Sequence, residues 1–553
     1  FFQPGRAPLS SPGIPEQAEL NVLPENWEHN VTFYEQMTRR IPVLEDIGIR
    51  LFFCGPESFT PDGVYHLGEV PGLGNYFVAA GFNSIGFLSG PGAGEVLADW
   101  IVDGRRPLDL VEADPRRSMR HEVNRRYLEE RVTETLDVSY EIHWPFQQRE
   151  RARGIRRSPL HNEVAAAGAV FGELGGWERA NWYSPQPRSA GGAPGGGRLT
   201  FGRQAWFEAV GEEHEAVREH VALFDVSSFG KLLVTGRDAL SLLQWVSAND
   251  VDVAPGRLVY TQWLNEWGGI EADVTVTRLE SEEFLVLTAA ACVVRDRDWL
   301  LRNRGDLNAS VVDVSGGLAM ASVMGPESRR LLEKLTDADI SNDAFPFGCS
   351  REIDLGFGFV RATRITYVGE LGFELLVPAE MATHIYEAIW AAGTEAGLRH
   401  AGYYALDSLR MEKAYRSFGH DIGPLDTPLE AGLGFAVAWD KGGAFLGRDK
   451  LASVREQGVT RRLVQFALDD PSATPYGDEP IYREGELVGK VASAAFGYTI
   501  GCPVALGYVE AGEPVDHSYF EAAPYEIEIA CERFGARGSL TPLYDPKSER
   551  TRV

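Results

Sequence analysis

The stretch NEWGGIEADVTV, residues 265–276, places two glycines, Gly268 and Gly269, ahead of a single acid, Asp273, set in an alternating run of valine and threonine. Alternating β-branched residues predict a strand, and the glycine pair predicts a turn before it. Aspartate is disfavoured inside a strand because its short carboxylate competes for backbone hydrogen bonds. Two readings of Asp273 stay open at this level: a solvent-facing strand residue, or a carboxylate aimed at something that binds beside the turn.

Around that stretch lie 553 residues, enough for roughly three or four domains with sizeable cores. A composition of 44% hydrophobic and 24% charged residues is that of an ordinary globular chain. The net charge of -27 argues against nucleic acid or an anionic membrane as the main partner. Five scattered cysteines, Cys54, Cys292, Cys349, Cys502 and Cys531, form no CxxC pair and no metal-ligand spacing. They are expected to be buried structural thiols in a reducing compartment, and no metal site is expected. The longest apolar run, FLVLTAAACVV from Phe284, is far short of the ~20 residues a membrane-spanning helix needs. The chain opens FFQPG, without methionine, so its natural start is expected upstream.

Residues 1–104 mix helix and strand. YFVAAGFNSIGFLSGPGAGEVLADWIVDG, 76–104, predicts a short strand from Tyr76, a glycine-rich loop through Gly90, Gly92 and Gly94, and an amphipathic helix from Gly94 to Asp103. Such a loop brings backbone N–H groups and a positive helix end near an anion or a polar ring. Residues 105–160 read as charged and helical, and SAGGAPGGGR, 189–198, as flexible loop. Residues 200–440 continue as an α+β body, and 460–553 are rich in strands and turns. No internal repeat stands out, and His66 and His161 have no partner visible in the sequence.

Several stretches resemble one family. CGPESFTPDGVYHLGEVPGLGNYFVAAGFNS, 54–84, resembles the C-terminal part of the flavin domain of dimethylglycine and sarcosine dehydrogenases. YLEERVTETLDVSYEIHWP, 127–145, and SPLHNEVAAAGAVFGELGGWERANWY, 158–183, resemble their central connector. DVSSFGKLLVTG (225–236), the opening stretch, YVGELGFELLVP (367–378), DSLRMEKAYRSFGHDIGPLDTPLEAGLGFAV (407–437) and FLGRDKL (445–451) resemble the aminomethyltransferase, or T-protein, of the glycine cleavage system. That module is fused to the C-terminus of the dehydrogenases, and PLYDPKSERTRV, 542–553, resembles the family's ending.

The resemblance implies an α+β multidomain chain: part of an FAD-dependent oxidoreductase domain (1–104), a central connector (105–160), a folate-binding T-protein-like body (161–440) and a C-terminal β-barrel (441–553). One departure stands out. The dehydrogenases open with a G-x-G-x-x-G turn that holds the FAD pyrophosphate, and many carry an early histidine that attaches the flavin. Neither occurs here, and GFGFVR at 356–361 lacks the third glycine. The chain is therefore expected to be an N-terminally truncated member that holds FAD only in a full-length form.

The activity implied is FAD-dependent demethylation of an N-methylglycine, coupled to one-carbon transfer to tetrahydrofolate. The partners implied are a small N-methyl amine and a folate, with a carrier protein or oxygen taking the electrons, in the cytoplasm or, in a eukaryote, the mitochondrial matrix. The alternative is a folate-dependent aminomethyltransferase without flavin chemistry, which the motifs before residue 183 disfavour. A folate-binding assembly factor of the iron–sulfur type is disfavoured too, because its K-G-C-Y-x-G-Q-E signature is absent.

The resemblance also assigns residues. Asp273 matches the acid that holds the folate amines and acts in the chemistry, with Ala272 where the T-protein has a further aspartate. Under this reading the glycine pair lets the turn approach the pterin. Glu374 matches the glutamate that binds the amino-pyrimidine; alone it would read as an exposed strand residue. Tyr260 and Tyr367 are candidates to stack on or bond the folate, with core tyrosines as the alternative. Arg410 matches an arginine near the folate, and a helix-surface pair with Asp407 is equally open. Arg416 and His420 read as a solvated helix end, with contact to the folate's anionic glutamate tail as the alternative. In the flavin part, Asn83, Ser84, Ile85 and Gly86 occupy the helix start that faces the flavin ring.

Overall fold

The computed structural model describes residues 25, 27–53, 55, 57–185, 199–515, 517–521 and 524–553; the loop expected at 189–198 and Cys54 lie outside them. The alternation in the opening stretch forms the strand Ile270–Glu280. Its Ala272, Val274 and Val276 join a buried cluster with Leu242, Leu243 and Leu300 of two covering helices, Ala239–Val246 and Val293–Asn303. This strand is one of five in an antiparallel sheet, ordered Ser310–Asp313, Gly230–Thr235, Glu283–Thr288, Ile270–Glu280, Arg257–Leu264.

A second sheet has six strands, ordered Ser350–Leu355, Gly358–Thr363, Gly372–Pro378, Leu318–Met324, Ala222–Asp225 and Arg399–His400, the last pairing parallel. Its outer face buries Leu223, Val323, Phe373 and Leu375 against Ile385 and Ile389 of the helix Ala382–Gly393. Its inner face meets the first sheet, since Phe224, Met320 and Leu376 share one cluster with Leu285 of Glu283–Thr288. Beyond the body, six strands between Arg461 and Ser539 close a barrel around Val464, Phe466, Ile481 and Val491. The architecture is α+β, with a closed C-terminal barrel. Among the described residues no helix is long and apolar enough to cross a membrane.

The N-terminal region departs from the expectation in two places. The helix starts at Gly86 and runs to Asp103, through the glycines read as a loop. Its inward Ala93 and Trp100 pack on Leu67 of the hairpin His66–Glu69/Phe77–Ala80, and this burial outweighs the poor propensity of glycine and proline. A Cβ on Gly90, Gly92 or Gly94 would meet nothing within 4 Å, so packing does not demand them. In the connector the one α-helix is Arg125–Ser139, and residues 140–160 form turns rather than the expected helix. Their charges are held by tertiary partners instead: Arg153 pairs with Glu178, and Arg156 lies 4.2 Å over the Trp177 ring. The thiols depart as well. Cys502 is buried and Cys292 and Cys349 are half-buried, but Cys531 is exposed in the turn between the last two strands.

The glycine pair also does something other than expected. Gly268 sits at φ +81, and a Cβ on Gly269 would come within 1.9 Å of the Pro424 carbonyl oxygen. The turn is tight because Gly269 packs on the protein's own 424 loop. Asn265 secures it, accepting from Trp267 N and Gly269 N and donating to Pro424 O.

The connector is tied to this strand through Glu271, 2% exposed. Arg295 donates to its Oε2 at 2.5 Å and to its backbone oxygen at 2.6 Å, and Arg106 donates to Oε1. Burial alone would raise the Glu271 carboxyl, but Arg106 and Arg295 outweigh it and hold it down at about 2. Glu271→Gln leaves two buried guanidiniums short of a counter-charge and is expected to destabilise the fold by about 3–5 kcal/mol at pH 7, read from urea unfolding. Because the folded pKa lies below the ordinary 4.5, this stability is present above that pH and lost as the pH falls toward 2. The gap between variant and parent should therefore close in acid, and a gap under about 1 kcal/mol at pH 7 would mean the connector is held elsewhere.

Candidate functional site

Strand parity places the site. Asp273 lies directly across from Gln262, and Thr275 across from Tyr260, so these four side chains share the face opposite the Val274–Val276 core. Lys231 pairs with Leu287, which pairs with Thr275, and so looks the same way. Across the gap Glu374, cross-strand to Ser322 and Thr363, shares parity with Leu376 of the inner cluster. Asp273 and Glu374 therefore come from opposite sheets and face one interlayer space, which a sequence read strand by strand does not reveal.

Asp273 is half-buried. Gln262 Nε2 donates to its Oδ1 at 2.8 Å, and the Tyr260 hydroxyl lies close enough to pull its proton affinity down. Burial pushes its carboxyl up to about 6, against the pull of Gln262, Tyr260 and the nearby Arg416 charge. A carboxylate with that proton affinity is ionised at neutral pH yet accepts a proton readily. Glu374 is half-buried too; burial pushes it up to about 7, with the Lys231 ammonium opposing. Lys231 is fully buried, its Nζ donating to Ser227 O at 2.9 Å and Phe229 O at 3.0 Å, and desolvation brings it down to about 8. Gln262 Oε1 and Thr275 Oγ1 are buried without a hydrogen-bond partner among the described residues.

The other candidates are engaged within the protein. The Tyr367 hydroxyl donates to Arg416 O at 2.7 Å, and its ring stacks 5.9 Å from Tyr415. Tyr260 stacks 6.3 Å from Phe435. Arg410, 3% exposed, donates to Asp407 at 2.7 Å, the helix pair left open by the sequence, and also to Asp421 at 2.5 Å and Tyr415 O at 3.2 Å. Its guanidinium thus orders the 415–421 loop. Arg416 is not the solvated helix end expected: half-buried, it donates to Ala431 O and Ala414 O. His420 is exposed. Gln262 and Lys231 were missed as site residues. Pairing register alone reveals the first, and only the fold brings Lys231 inward.

Asn83, Ser84, Ile85 and Gly86 do form a helix start, with Ile85 preceding the first turn. Asn83 and Ser84 sit at φ 50 and 67, a left-handed pair that non-glycine residues rarely adopt. Asn83 Oδ1 accepts from Thr60 N at 2.8 Å and its Nδ2 donates to Gly81 O at 2.7 Å, which holds that strain in place. Ile85 is 41% exposed and Phe87 and Leu88 more so, leaving an apolar rim beside an open helix start that suits the edge of a flavin ring.

Four family models match the chain in order: FAD dependent oxidoreductase at residues 14–100, FAD dependent oxidoreductase central domain at 103–158, GCVT N-terminal domain at 160–441, and glycine cleavage T-protein C-terminal barrel domain at 461–545. The chain is 40% identical to 4-methylaminobutanoate oxidase (formaldehyde-forming) of Paenarthrobacter nicotinovorans, over 100% of this chain and 65% of that protein. It is 36% identical to the mitochondrial sarcosine dehydrogenase of Homo sapiens, over 98% of this chain and 63% of that protein. It thus spans just under two thirds of the length of these relatives. The crystal structure of the glycine cleavage system aminomethyltransferase T from Bartonella henselae matches with a TM-score of 0.60 at 25% identity, over 71% of this chain and 99% of that one.

Asp273→Asn tests the burial of the carboxylate. An acid whose folded pKa is raised from 3.8 to about 6 favours folding below pH 3.8, and that contribution is lost as the pH rises through 6. Above pH 6 the desolvated charge opposes folding. The asparagine variant should therefore be more stable than the parent at pH 7.5, by about 1–2 kcal/mol after discounting for partial exposure, and indistinguishable at pH 4. Thermal unfolding at the two pH values reads this, and a destabilised variant at pH 7.5 would contradict it.

Proposed function

Since the chain belongs to the dimethylglycine and sarcosine dehydrogenase family, FAD-dependent oxidoreductases with a glycine cleavage T-protein module, we propose that its interlayer site transfers a one-carbon unit to tetrahydrofolate. The unit comes from oxidative demethylation of an N-methylglycine by the flavin domain, part of which lies in this chain. The observation that carries the reading is that Asp273 and Glu374 face one interlayer space from opposite sheets, each with a proton affinity lifted toward neutrality by burial. Buried acids poised near neutral pH are suited to proton transfer and to N–H recognition, and poorly suited to a structural role.

Tetrahydrofolate is the acceptor substrate. Glu374 accepts N–H bonds from its amino-pyrimidine, a charge-assisted contact. Ionised Asp273 stabilises the positive charge of an arriving iminium, orients the attacking amine and takes the proton that amine releases. The Tyr260 and Gln262 donors keep the carboxylate in one place while its charge changes. On the flavin side, Asn83, Ser84, Ile85 and Gly86 would hold one edge of FAD, and FAD supplies the hydride acceptor for the N-methyl carbon. A carrier protein or oxygen would take the electrons from the bound flavin.

Calorimetry of this chain with tetrahydrofolate tests the binding half. Glu374→Gln should weaken binding by roughly 1.5–3 kcal/mol, tenfold or more, and no heat with the parent chain would count against a folate site. For the chemical half, Asp273→Asn in a flavin-replete full-length protein should cut 5,10-methylenetetrahydrofolate formation by ~10²–10⁴-fold while flavin reduction by the amine persists and free formaldehyde accumulates. Product formed at the parent rate would reduce Asp273 to a strand residue. Folate binding without any flavin reduction would favour an aminomethyltransferase working alone.

A further inference from the structure

Gln262 is wholly buried in the strand Arg257–Leu264, directly across from Asp273. Its side chain makes one hydrogen bond, Nε2 to Asp273 Oδ1 at 2.8 Å, while Oε1 is buried with no partner among the described residues. A buried carbonyl without a donor opposes folding, and an apolar residue of similar size would avoid that cost. The amide is therefore poorly explained as packing. Its solvent-inaccessible position also rules out direct contact with a ligand in the present conformation.

We propose that Gln262 is a positioning residue for Asp273, one N–H of its amide fixing the carboxylate's orientation and favouring the ionised form from behind the site. The consequence for catalysis rests on the one-carbon role proposed above, but the consequence for Asp273 itself does not. A donor to the charged form lowers the proton affinity of an acid, and here it works against the burial that raises it.

The other groups around Asp273 leave this titration readable. Tyr260 on the same strand and Tyr367 on the 364–371 loop are phenols that burial raises, and burial pushes Cys292, at the start of the helix Val293–Asn303, up to about 12. All three stay neutral between pH 5 and 8. Glu374 titrates in the same window beside Lys231, equally in parent and variant, so their difference isolates Asp273.

Gln262→Leu and Gln262→Met are compared with the parent chain in two measurements. The first is the pH dependence of urea unfolding, with each protein made also in an Asp273→Asn background, so that the difference reads the titration of Asp273. Its midpoint should rise by about one pH unit in both variants, with stability at pH 5 no lower than the parent's because the orphaned carbonyl is gone. The second is 5,10-methylenetetrahydrofolate formation from formaldehyde and tetrahydrofolate, above the uncatalysed rate. If the ionised carboxylate is the active form, a one-unit rise cuts activity about fivefold at pH 6 and leaves it nearly whole at pH 8. An unmoved Asp273 midpoint overturns the proposal. So does an activity loss of equal size at every pH together with a lower melting temperature, the mark of a glutamine that only supports the fold. A parent chain with no folate turnover would sink the one-carbon reading, and the unfolding measurement would still decide the role of Gln262.

Discussion

One buried carboxylate fixes where three parts of this molecule meet. Glu271 stands between the guanidiniums of Arg106, from the connector, and Arg295, from the helix Val293–Asn303, and takes a further N–H from Asn265 at 3.1 Å. Arg106 also reaches Asp114, which is held bidentately by Arg116. Removing so many charges from water is expensive, and the arrangement holds because each partner is itself paired. Arg295 is steadied from above, with its guanidinium 4.7 Å from the Phe418 ring. The glycine turn, the strand that follows it and the loop around Phe418 are thereby held in one register, and Asp273 inherits its position from that register.

Two acids on this strand, two residues apart, have opposite proton affinities. Glu271 is held down at about 2, and Asp273 is pushed up to about 6. Both are desolvated, so burial alone cannot separate them. The difference is the counter-charge: Glu271 has two guanidiniums in contact, whereas Asp273 has two neutral donors and a cation, Arg416, that acts without a direct hydrogen bond to it. One acid is thereby committed to structure. The other stays available for proton chemistry, at some expense to the fold.

The sequence carried the local part of this picture. Alternation around Asp273 marked the strand, the glycine pair marked the turn, and the ordered motifs marked the α+β body and the barrel. What it hid is tertiary. Gly269 looked like a ligand cradle, but its missing Cβ makes room for Pro424 O, a contact 155 positions distant along the chain that no local pattern reports. The helix Gly86–Asp103 overrode Gly90, Pro91, Gly92 and Gly94 in its interior because Trp100 and Ala93 bury on a hairpin, and propensity knows nothing of that surface. Arg410 could be seen to pair with Asp407 from their spacing, but its stronger commitment to Asp421 required the loop to fold back.

That loop gives the barrel a part in the site. Asp421 is fully buried and gathers Arg410 from the helix Tyr403–Glu412, the backbone N–H of Ser417, and Ser493 from the barrel strand Glu486–Gly497. Gln465, on another barrel strand, donates to Met411 O, and Lys413 donates to Asp545 O in the C-terminal segment. These bonds fix both ends of the turn that carries Tyr415 and Arg416. Arg416 in turn donates to Ala431 O and Ala414 O, which aims its charge without a carboxylate partner among the described residues. A guanidinium placed by backbone carbonyls keeps its field free to act on what lies nearby, and Asp273 is one of the acids it reaches. The barrel therefore serves the interlayer site through geometry: its bonds to the segment around Met411 and Asp421 help set where the Arg416 charge stands.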